Sequence, residues 1–95
     1  MKCHLFIIAR ISPKAEFFER TKRAILSIAP ITLEEKDCPQ FAVHEDDKNL
    51  FLYEEWCSQE NLDKHYATPY IAPILKAYKK WLKKPVEINK LERLA

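Results

Sequence analysis

The chain has 95 residues, too few for two separate cores without metals or disulfides, so residues 1–95 are read as one domain. Apolar residues make up 47% and charged residues 32%, the balance of a soluble globular protein, and a net charge of +2 is too small to call for nucleic acid or an anionic membrane as partner. The absence of glycine excludes the phosphate-cradling loops of nucleotide and dinucleotide sites, which need a backbone approach that a Cβ blocks.

From the N-terminus, His4–Ile11 is β-branched and aromatic and closes on Ser12-Pro13, so it reads as a first strand. Its Leu5–Ala9 run lacks a polar face, as expected of a central strand covered on both sides. The run is also too short to cross a membrane, and Arg10 after it is unlike a signal-cleavage region, so no targeting segment is read. Ser12 and Pro13 then read as N-cap and first helical residue. Phe17, Phe18, Ala24, Ile25 and Ile28 recur at helical spacing, and Pro30 predicts a bend or end near Ala29.

A polar stretch, Glu34–Asp37, precedes a short strand at Gln40–Glu45. Asp46–Asn49 supplies a turn into a third strand, Leu50–Trp56. Alternation places Leu50, Leu52, Glu54 and Trp56 on one face of that strand, and Phe51, Tyr53 and Glu55 on the other. Ser58 caps a short helix carrying Glu60, Asn61, Leu62, His65 and Tyr66. Thr68-Pro69 gives a second start signal, and Ile71, Ile74, Leu75, Tyr78 and Leu82 form a helical stripe opposite Lys76, Lys79, Lys80 and Lys83. Pro85 ends this helix, and Val86–Leu91 is a final strand. The order βαββαβ implies a ferredoxin-like α+β fold with two helices on one face of an antiparallel sheet. The other face needs a cover, and a second subunit supplies one most simply, two sheets facing each other in a homodimer.

The segment Phe51–Tyr70, with its Tyr53-Glu54-Glu55-Trp56 strand end and Leu62-Asp63-Lys64-His65, resembles the antibiotic biosynthesis monooxygenase family. Weaker similarity extends over the rest, at Ala9-Arg10, Cys38 and Leu91-Glu92. The resemblance implies a dimeric α/β barrel, with an apolar pocket between each sheet and its helices. It also implies oxidation of a quinol-like or polyphenolic aromatic by molecular oxygen, without a cofactor. Lys14 and Asp37 stand where the family commonly has glycine, so those loops take different turn chemistry. In the heme-degrading branch an Asn, Trp and His set occupies the positions of Ile7, His65 and Leu75, so that set is absent here and no heme is expected.

On this reading His65, a residue able to exchange a proton near neutral pH, is the candidate catalytic group. Asn61, one helical turn earlier, together with Tyr53, Tyr70 and Ile7, are candidate substrate contacts; Tyr53 and Tyr70 pair a flat apolar body with a hydroxyl. Each also has a plainer role in helix capping or core packing. Trp56 is read as structural, and the Lys76–Lys84 cluster as a solvated helix face. His4 and His44 lack metal-ligand spacing, so no metal is expected. Cys3, Cys38 and Cys57 are odd in number and form no CxxC, which suggests reduced thiols and a cytoplasmic setting. Two alternatives remain: a dimeric module that binds a small molecule without turnover, and an isomerase-like relative acting on a phosphorylated sugar.

Overall fold

In a computed structural model, which describes residues 5–95, four strands form one antiparallel sheet in the order β2-β3-β1-β4. The strands are β1 (Leu5–Ile11), β2 (Gln40–Glu45), β3 (Leu50–Trp56) and β4 (Glu87–Leu91); the helices are α1 (Phe18–Leu33), α2 (Gln59–Tyr66) and α3 (Ala72–Trp81). This is the expected ferredoxin-like α+β order, with its second helical stretch divided in two. His4, assigned to the first strand, lies outside the described residues.

β1 is central, flanked by β3 (Ile7↔Glu54, Ala9↔Leu52) and β4 (Ala9↔Ile88). With a side-chain period of two, this register gathers Ile7, Ala9, Ile11, Leu50, Leu52, Glu54, Trp56 and Phe41 on the face beneath the helices. The opposite face carries Phe6, Ile8, Arg10, Phe51, Tyr53 and Glu55. Within one chain only the helix side of β1 is covered: Ile7 is fully buried, whereas Ile8 keeps 37% of its surface.

The α1 boundaries differ from the sequence reading at both ends. Ser12 and Pro13 do not start the helix, because they are already in use elsewhere. Pro13 bridges Leu82, the Lys14 N–H donates to the Trp81 carbonyl at 2.8 Å, and the Lys83 N–H donates to the Ser12 carbonyl at 2.9 Å. The helix begins only after a 3-10 turn at Ala15–Phe17. At the other end Pro30 sits inside the helix, which runs on to Leu33. Its buried stripe, Thr21, Ile25, Ile28 and Thr32, keeps helical spacing past the proline, and packing of that stripe outweighs the single hydrogen bond lost. Thr32 Oγ1–H donates to the Ile28 carbonyl at 2.9 Å and Glu34 N–H to the Pro30 carbonyl at 3.2 Å, closing the last turn.

The bridge to Pro13 likewise shortens α3. Leu82 is extended, with ψ 147°, so the helix ends at Trp81 rather than at Pro85, and Lys83 falls outside it. The β2–β3 turn needs no glycine. Asp46 Oδ1 accepts from the N–H groups of Lys48 at 2.8 Å and Asn49 at 2.6 Å, and no described residue adopts positive φ. Cys38 is a free, buried thiol, while Cys57 is disulfide-bonded. That corrects the expectation of reduced thiols throughout. No helix among the described residues is long and apolar enough to cross a membrane.

Candidate functional site

A cavity of about 320 Å³ lies between the sheet and the helices, walled by Ala9, Ile11, Leu52 and Glu54 of the sheet, Ile25 and Ile28 of α1, and His65, Tyr66, Ile71 and Tyr78 from the α2–α3 region. Its walls are apolar apart from four polar side chains: Glu54, His65, Tyr66 and Tyr78.

His65 is placed by local rules. Ser58 Oγ accepts the Asn61 N–H at 3.2 Å and starts α2, and the i, i+3 pair Leu62 and His65 forms its buried side. The imidazole packs against Trp56 with centroids 4.6 Å apart, and against Tyr66 (5.5 Å), Tyr70 (5.9 Å) and Phe41 (6.4 Å). Nδ1 lies 2.6 Å from Glu35 Oε2, in the turn after α1. The Tyr70 hydroxyl donates to the same Glu35 oxygen and lies 3.2 Å from both His65 Nδ1 and Thr32 Oγ1. Burial, and then the bond to Glu35, push the Tyr70 hydroxyl up to about 12, so it stays a donor. An imidazole that donates Nδ1–H to the Glu35 carboxylate leaves Nε2 as its second ring nitrogen, the arrangement of an oriented general base.

Glu54 is the second ionisable group in the walls. It is 3% exposed, and its Oε1 accepts the Trp56 Nε1–H at 2.8 Å. Burial raises its carboxyl pKa, and the Trp56 bond opposes that rise in part. Burial, reinforced by the Glu54 charge, pushes the Tyr66 hydroxyl up to about 12 and also raises that of Tyr78.

The other residues read from the sequence are distributed around this centre. Tyr70 joins His65 through Glu35 but is not part of the cavity wall. Asn61 faces elsewhere: its Nδ2–H donates to Asp37 at 2.9 Å and its Oδ1 accepts from Ser58 Oγ–H at 2.6 Å, tying α2 to the loop after α1. Tyr53 lies on the opposite sheet face, in a surface depression with Phe6, Gln40 and Leu91. Ile7 is buried on the cavity side of β1 but outside the wall. Among the described residues no group of three His, Cys, Asp or Glu side chains is placed to hold a metal ion.

Glu35, Glu54, Tyr66 and Tyr78 were not singled out from the sequence. Glu54 did carry a signal, a lone carboxylate on the apolar face Leu50-Leu52-Glu54-Trp56. Glu35 carried none, being 30 residues from its histidine.

The model of the antibiotic biosynthesis monooxygenase family matches residues 5–85. The chain belongs to that family. Solved structures share its fold along nearly the whole chain. PA3566 of Pseudomonas aeruginosa aligns with a TM-score of 0.91 at 24% identity, over 100% of this chain and 98% of that one. Rv0793 of Mycobacterium tuberculosis gives 0.89 at 22%, over 97% and 96%. A structure described as an antibiotic biosynthesis monooxygenase gives 0.87 at 18%, over 96% and 99%. No curated protein sequence matches the chain. At these identities the likeness is one of fold.

Proposed function

We propose that this antibiotic biosynthesis monooxygenase family member oxidises a quinol-like or polyphenolic aromatic with molecular oxygen, without a cofactor, and that His65 accepts the phenolic proton. The observation that carries the reading is the pairing of His65 with Glu35 in the wall of an apolar cavity of about 320 Å³, a volume near the lower bound for small-molecule sites. Nδ1 is committed to Glu35, so Nε2 is the nitrogen left for a ligand. Taking the phenolic proton leaves an electron-rich phenolate, which reduces oxygen directly. A hydroquinone and dioxygen then yield a hydroxyquinone and water, the substrate supplying all the electrons. Tyr70 and Thr32 hold Glu35 and the ring in place, and the apolar walls exclude water so that the oriented groups act at low dielectric. A phosphorylated sugar suits the cavity poorly, because its wall contains a carboxyl and no Lys or Arg.

The proposal includes a homodimer through the uncovered sheet face, where Phe6, Ile8, Phe51 and Tyr53 would be buried against a second copy. Sedimentation at falling concentration tests this, with a stable monomer as the contrary result. Oxygen uptake with a panel of hydroquinones tests the chemistry. Wild type should exceed background and His65→Ala should lose about 10²–10⁴-fold, the usual contribution of a positioned base. Equal background rates in both would sink the reading.

A further inference from the structure

We propose that Glu54 makes this cavity selective for uncharged ligands that present one hydroxyl donor to its open oxygen, such as a phenol or a quinol, and closes it to carboxylates and phosphate esters. The inference rests on the reading of the cavity as the ligand site, and it names the ligand's chemistry.

The carboxyl group comes from a central strand, and Trp56 Nε1–H holds one of its oxygens at 2.8 Å, so its position is fixed before any ligand arrives. Oε2 is the oxygen left to accept from a ligand. A phenol offers one donor to that one acceptor, and its ring meets apolar walls. A methyl ether of the same shape fills the same space but leaves the buried acceptor unpaired, and sites built around a hydrogen bond discriminate strongly against such analogues. A ligand carboxylate or phosphate would set a second negative group beside Glu54, with no Lys or Arg in the wall to offset it and with His65 Nδ1 already engaged by Glu35. A primary ammonium brings three donors, more than one open carboxyl oxygen satisfies, and sheds a hydration shell that apolar walls do not replace. The tyrosines facing Glu54, Tyr66 and Tyr78, are held in their protonated forms by burial and by the Glu54 charge, so they serve a neutral ligand as donors.

The test is calorimetric binding of four matched probes to the full chain: 4-propylphenol, 4-propylanisole, 4-propylbenzoate and 4-propylbenzylamine. Wild type is compared with Glu54→Gln, which keeps an acceptor for Trp56, with Glu54→Leu, and with Ala9→Leu, which fills the cavity. Circular dichroism confirms folding of each variant. In wild type the phenol should bind about tenfold or more tighter than the ether, equivalent to one hydrogen bond of ordinary strength, with the benzoate and amine weaker still. Glu54→Leu should bring phenol and ether within about twofold of each other, Glu54→Gln should admit the benzoate, and Ala9→Leu should weaken both neutral probes. Equal binding of phenol and ether to wild type, with both lost in Ala9→Leu, overturns the role of Glu54 while leaving the cavity as the ligand site. Tighter binding of the amine or benzoate than of the phenol also overturns it. Binding that Ala9→Leu leaves intact, or no binding of any probe, removes the cavity reading and this inference together.

Discussion

Tyr70→Phe removes one oxygen atom from the cluster that orients His65, and the structure sets the size of the loss. The hydroxyl donates to Glu35 Oε2 and lies 3.2 Å from Thr32 Oγ1 and from His65 Nδ1. Without it, Thr32 Oγ1–H still reaches the Ile28 carbonyl and Glu35 still holds His65, so no buried group loses its last partner. The cost is therefore that of one charge-assisted bond in a partly open setting, about 1–2 kcal/mol. For a domain of this size that corresponds to a melting temperature lowered by roughly 5–10 °C. Urea and thermal unfolding at fixed protein concentration measure it, since self-association would otherwise shift the midpoint. A double-mutant cycle with Glu35→Gln isolates the pair and should give a coupling of about 0.5–1 kcal/mol. A stability change within about 0.3 kcal/mol together with zero coupling would show that the cluster does not hold the histidine.

Two further predictions follow from buried ionisable groups. Burial raises the Glu54 pKa above its ordinary value of 4.5, so the folded state holds that proton to higher pH than the unfolded chain does. The associated stability is fully present below 4.5 and lost as pH rises through the folded value. Glu54→Gln, which keeps an acceptor for Trp56, should thus gain on wild type as pH rises from 4.5, by at most about 1.4 kcal/mol per pH unit for one proton. His65 and Tyr66 of α2 and Tyr78 of α3 share the cavity wall with Glu54, so the comparison is made as the stability of Glu54→Gln minus that of wild type; a difference that falls as pH rises contradicts the assignment. Cys38 is buried, and its thiol is pushed up to about 12, first by desolvation and then by the charges of Glu54 and Glu35. It should resist a thiol reagent at pH 8 in the native protein and react on unfolding; fast native reaction would contradict its placement.

The elements readable from sequence were those decided by local patterning. β2, the Asp46 turn, β3 and the Ser58 cap all depend on residues within a few positions of one another. The ends of α1 and α3 were not readable, because Pro13 and Leu82 pair across 69 residues and override the local cap and stop signals. The same division holds for the candidate site. Alternation placed Tyr53 and Glu54 on opposite faces of β3, but which face lies under the helices depends on packing, so the sequence did not show that Glu54 rather than Tyr53 borders the cavity. Asn61 shares α2 with His65, yet its amide is committed to Asp37, 24 residues away. His65 was read from its place in the motif, while Glu35, which meets its Nδ1, lies 30 residues earlier in the turn after α1 and left no local trace.

The most direct measurement is a long-range ¹H–¹⁵N spectrum of the imidazoles during titration with a hydroquinone under anaerobic conditions, with His44 on the opposite sheet face as internal control. The account predicts a free protein whose His65 is protonated on Nδ1, and a ligand-dependent shift at His65 Nε2 that leaves His44 unmoved. A shift confined to His44, or a His65 ring indifferent to ligand, would contradict the cavity as the site where the proton is taken.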